Sequence, residues 1–215
     1  MSSESLCESL LELEEGDEKR RLMEEASATA DCLEYALDAA RSRIPADSVG
    51  SRRFATLATA LAEARGDLRS ASLAWRLHAQ AHRIEGSHAE AALALETAST
   101  LALRSGDPLL AAQASIGLVD SLGWIGRYEE ALALARRLER ELLARNAPED
   151  AAKVLVNMGS LHYRRDQYKS ALECYERAAQ SLSEAGDPVA TATTVSGDRA
   201  YLRRCIDWMS RPGGA

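Results

Sequence analysis

His78 and His82 are the residues whose type and spacing come nearest to a chemical site. Four residues apart on a helix, two imidazoles share one face and can reach a single metal ion. Nothing completes the set, because no His-Glu-x-x-His occurs. Arg65-Gly66-Asp67 matches an adhesion tripeptide, but a related Ser105-Gly106-Asp107 recurs downstream, which marks both as hinges. Cys7, Cys32, Cys174 and Cys205 lie far apart with no Cys-x-x-Cys. They read as reduced thiols of a cytoplasmic protein, not as a disulfide framework or zinc site. There is no Gly-rich phosphate loop, no Gly-x-Ser-x-Gly elbow and no Cys–His pair at a supporting spacing. The expectation is a protein that is not an enzyme and carries no metal or cofactor.

The elements that would position any site are helices. Ala, Leu, Glu and Arg abound, β-branched residues are scarce and only five prolines occur, so an all-α chain is expected. The net charge of −7 is concentrated in residues 1–18, which hold seven acids and no base. The remaining 26 acids match the 26 Lys and Arg. A neutral body behind an acidic leader argues against nucleic acid, whose phosphates need a basic face. No apolar run approaches the length of a membrane span, and the leader lacks the basic-then-apolar order of a secretory signal.

Along the chain, residues 3–14 form a short amphipathic helix with Leu6, Leu10, Leu11 and Leu13. Asp17 can cap a second helix. This acidic region, 1–31, is either an interaction arm or a cap folded on the first unit, and the cap is preferred. Then a period sets in. Gly66, Gly106 and Gly186 mark it, with Asn146 in the remaining place; Gly86, Gly126 and Asp166 fall midway. The repeat length is thus about 40 residues, within the range of helical solenoids. Glycine, and asparagine less freely, adopts the left-handed conformation that ends a helix. Two turns per period imply two helices of about 15–18 residues. The solenoid has four units, 32–71, 72–111, 112–151 and 152–191. Residues 192–209 are expected as a C-terminal capping helix and 210–215 as a flexible tail.

Aligning the units exposes the positions where helices touch. Ala91, Ala131 and Ala171 recur in the second helix, and Ala79, Val119 and Gly159 in the first. His78 and His82 fall on packing positions of the second unit, and His162 is equivalent to His82. Leu155, Met158, Gly159, Tyr168, Ala171, Tyr175 and Ala178 of the last unit carry a pattern that resembles the tetratricopeptide repeat family. The second and third units match it less fully and the first poorly, where Ser48, Ser51 and Pro45 interrupt. The family's usual unit is shorter, about 34 residues. The longer period and the Leu122–Leu134 stretch look similar to N-terminal arrays of bacterial proteins that carry a caspase-like CHAT protease domain.

The resemblance implies an α-solenoid of antiparallel helix pairs, a right-handed superhelix whose first helices line a concave groove. Carried onto this chain, the groove takes Arg76, Gln80 and Arg83 from the second unit and Gln113, Asp120 and Trp124 from the third. Lys153, Asn157, Tyr163 and Arg164 come from the fourth. Some family members clamp a C-terminal carboxylate, and Arg76, Gln80, Lys153 and Asn157 fall on four of those positions, although Gly117 replaces the central Asn. The implied function is a protein–protein interaction adaptor with a protein or peptide partner. The alternative is a regulatory sensor, or an array detached from a larger signalling protein such as a CHAT protease or a helical-repeat transcription regulator.

Overall fold

A computed structural model describes residues 2–44 and 46–184 of the chain. Among them are ten α-helices and no strand: α1 Ser3–Glu12, α2 Asp17–Ser27, α3 Ala30–Arg43, α4 Ser48–Ala64, α5 Leu68–Ile84, α6 His88–Arg104, α7 Pro108–Trp124, α8 Tyr128–Ala144, α9 Pro148–Tyr163 and α10 Tyr168–Glu184. The expected capping helix, the tail, Gly186-Asp187 and Pro45 lie outside the described residues.

From α4 onward the helices run 17 residues, or 16 in α9, and three or four residues join each to the next. Gly66, Gly86, Gly106, Gly126, Asn146 and Asp166 all have positive φ, between 55° and 82°. They close one motif six times. In the turn after α4, Gly66 N–H donates to Glu63 O and Asp67 N–H to Ala62 O at 2.9 Å. The same two bonds recur through Asn146 and Ala147 and through Asp166 and Gln167. This pairing ties off carbonyls that the last turn would leave open. The residue after the left-handed position then opens the next helix. Asp67 accepts from Ser70 N–H and Asp107 from Leu110 N–H, so one residue both ends a helix and caps another. Burial pushes the Asp67 carboxyl up, but hydrogen bonds from Ser70 and Arg69 outweigh it and hold the group below its ordinary value.

The helices start one turn ahead of the unit boundaries expected from the repeat. Units drawn from 72, 112 and 152 cut into α5, α7 and α9, which begin at Leu68, Pro108 and Pro148. The repeat pattern marks where helices touch, not where they begin. At the N-terminus, α2 starts at Asp17 itself, with Gly16 ahead of it and no side-chain cap bond.

The chain divides into two compact units, one ending at Ala114 and the other beginning at Ser115. In the first, α3 packs on α4, α4 on α5 and α5 on α6, while α1 and α2 lie on α3 and α4. One core runs through it, from Leu6 and Leu10 of α1 through Leu33 of α3 and Leu61 of α4 to Leu77 of α5. In the second, α8 packs on α9 and α9 on α10. The small residues sit at these contacts. Ala91, Ala131 and Ala171 are fully buried. A Cβ on Gly159 would come within 2.6 Å of the Tyr175 ring, so that ring packs directly on helix backbone.

Candidate functional site

Four of the ten expected partner-binding residues, Arg76, Gln80, Arg83 and Gln113, belong to the first unit; the other six belong to the second. In the second unit, Asp120 and Trp124 are four apart near the end of α7, while Lys153, Asn157 and Arg164 follow one face of α9. The structure brings these two faces together. Asn157 Nδ2 donates to Ile116 O at 2.9 Å, a bond from α9 to α7. Further along, Arg164 Nη2 meets Asp120 Oδ1 at 3.3 Å, with side chains only 19% and 14% exposed. The Arg164 guanidinium also lies over Trp124, 4.5 Å from the ring centroid. One cation is thus shared between a carboxylate and an aromatic face.

Gly123 makes the arrangement possible. A Cβ there would fall 2.1 Å from Leu161 Cδ2 and 3.1 Å from Arg164 Nη2. Gly123 lies within the Leu122–Leu134 stretch but is not among the expected site residues. Its signal was a glycine inside a helix, next to a tryptophan, where glycine costs stability unless something approaches closely.

The cations of this face are engaged. Lys153 Nζ pairs with Asp150 Oδ1 at 2.7 Å on the same helix. With Asn157 bonded to Ile116, two of the four positions suited to a carboxylate clamp already hold groups of this chain. Besides Lys153, whose side chain is 60% exposed, what the face presents outward is aromatic. Trp124 is 57% exposed and Tyr163 40%. Tyr163 leans on Tyr168, centroids 5.7 Å apart. Large, stiff rings held by a fixed neighbour make contact area at little entropic cost.

In the first unit, Gln80 is exposed while Arg76, Arg83 and Gln113 are half-buried. Beside them, on α5, the two histidines stack. His78 and His82 centroids are 6.4 Å apart, and Trp75 lies 5.3 Å from His78. His78 Nε2 is 3.3 Å from Thr56 Oγ1 of α4. Glu85 reaches both helices, 3.6 Å from Arg52 Nε and 3.8 Å from His82 Nδ1. Burial, with His82 and Arg52 adding to it, pushes His78 down to about 4, so its ring is neutral at pH 7. His78 therefore joins α5 to α4 as a packed ring, with His82 stacked behind it. His162 Nδ1 is 2.7 Å from Gln167 Oε1. Among the described residues no group of three His, Cys, Asp or Glu side chains could hold a metal ion.

The structure also joins two residues that stand far apart in the sequence. Cys7 Sγ of α1 lies 3.5 Å from Cys32 O of α3, and both residues are fully buried. No helix among the described residues is long and apolar enough to cross a membrane. The sequence matches no protein-family model and no curated protein.

Proposed function

We propose that the protein is a non-enzymatic adaptor of tetratricopeptide type, holding a peptide or helix of a partner protein against the α7–α9 face. The observation that carries this reading is the exposed Trp124, fixed by Arg164, with Tyr163 exposed one residue before that arginine. A solvated surface has little use for a tryptophan braced in this way. Because Lys153 and Arg164 are already paired, recognition rests on apolar and aromatic side chains of the partner more than on its charge. The free, buried thiols of Cys7, Cys32 and Cys174 fit a cytoplasmic location.

The test is the double variant Trp124→Ala, Tyr163→Ala, compared with a Leu93→Ala control on exposed α6 surface. Partners captured by wild type are identified, and their binding segment is titrated against each purified protein. The double variant should bind at least about tenfold more weakly while its melting midpoint falls by only a few degrees, and the control should match wild type. Equal affinity for all three removes the reading. The 17-residue helices favour a second reading, a sensing array that works with a signalling effector. A neighbouring reading frame encoding such an effector supports it; a gene with no effector nearby counts against it.

A further inference from the structure

We infer that Cys7 and Cys32 form a reversible disulfide latch that fastens α1 to α3. The two residues come from separate helices and meet inside the core of the first unit, 0% and 1% exposed. Cys7 Sγ donates to the Cys32 backbone carbonyl at 3.5 Å, which sets the two cysteines against each other across the α1–α3 contact. Among the described residues no third metal-ligating side chain joins them. Thr29 Oγ1, 3.4 Å from Cys32 Sγ, is the neighbouring polar group. Two buried cysteines facing one another from two packed helices have each other as the natural covalent partner.

The geometry also sets when the bond can form. With α1 docked, oxidants are excluded, and burial followed by the influence of Cys32 pushes the Cys7 thiol up to about 12. The docked pair is therefore an inert dithiol. α1 is only ten residues long. Leu6 and Leu10 anchor it, with Glu8 at 3.7 Å from Arg43 and Leu11 O accepting from Arg53 at 2.7 Å. A ten-residue helix with so few ties opens more readily than the 17-residue helices behind it. Opening exposes both thiols to a small disulfide such as oxidised glutathione. One thiolate attacks it and releases a glutathione thiolate. The second thiolate attacks the mixed disulfide, releases the other, and leaves a Cys7–Cys32 bond. The two protons lost by the cysteines end on two reduced glutathiones, and the two electrons pass to the same pair. Oxidation then records that α1 was open and stops it from leaving again.

The experiment uses the full chain carrying Cys174→Ala and Cys205→Ala, held in oxidised glutathione at neutral pH. Intact mass and non-reducing peptide mapping are followed over hours. The latch predicts loss of two hydrogens, a Cys7–Cys32 linked peptide, a melting midpoint raised by about 5–10 °C, and full reversal by dithiothreitol. Cys7→Ala and Cys32→Ala should each abolish the linked peptide. Arg53→Ala, which removes the bond to Leu11, should speed its formation severalfold. Two glutathione adducts without the linked peptide overturn the inference. So does a chain that stays unmodified when native but reacts at both cysteines in denaturant.

Discussion

α5 and α9 are the first helices of two repeat units and share one register, yet the molecule uses them differently. On α5 the contact to α4 runs through the ring of His78, stacked beside Trp75 and His82, with Glu85 bridging to Arg52 at its end. On α9 the contact to α7 is a directed amide bond at one point and a shared cation at another. A ring stack tolerates small slips. A directed polar contact does not, and it fixes Trp124 at the surface. The repeat supplies the scaffold, while a few positions decide whether a face is packing or display.

That contrast breaks first at Gly159. Gly159→Ala drives a methyl into the Tyr175 ring and should cost about 2–3 kcal/mol, read as a lowered urea midpoint. A loss below about 0.5 kcal/mol would mean the ring can move aside. Next, Arg164→Ala removes the ion pair to Asp120 in a largely buried place and uncovers the Trp124 ring. We expect a loss of about 2 kcal/mol together with a changed tryptophan emission, whereas unchanged emission would deny the stacking.

The α5 stack should answer to acid instead. His78 has a folded value of about 4, below its ordinary value, so the folded state binds fewer protons than the unfolded chain in between. Stability from this group is complete above about pH 6.5 and is lost as pH falls from there to about 4, by about 1–2 kcal/mol once partial solvent screening is allowed for. His78→Met should flatten that stretch of the stability–pH profile, and an unflattened profile would place the titration elsewhere. The smallest effects belong to the caps. Asp67→Ala should cost α5 about 1 kcal/mol, while Ala147→Asp should give α9, which has no side-chain cap, about 0.5–1 kcal/mol. Thermal melts of the two variants should shift in opposite directions.

Much of the scaffold was legible because its signals are local. A left-handed residue must be Gly, Asn or Asp to be cheap, so Gly66, Gly86, Gly106, Gly126, Asn146 and Asp166 announced each turn from α4 onward. Ala91, Ala131 and Ala171 announced the crossings. The cross-helix contacts were not legible. Periodicity placed Asn157 and Arg164 on one face of a helix, but not which carbonyl or carboxylate would stand opposite, 41 and 44 residues earlier. Cys7 and Cys32 were hidden for the same reason. Their 25-residue separation spans a chain reversal that no residue near either one encodes.

The packing order carries a kinetic consequence. In each unit the main contacts join helices adjacent in sequence, so the loops that must close are only two to four residues long. Closing them costs little entropy, and a hairpin such as α5–α6 can form as soon as both helices exist. A ribosome would release this protein already folding, one hairpin at a time. Among its early helices α1 reaches past its neighbour, to α3 and α4, and must wait for them.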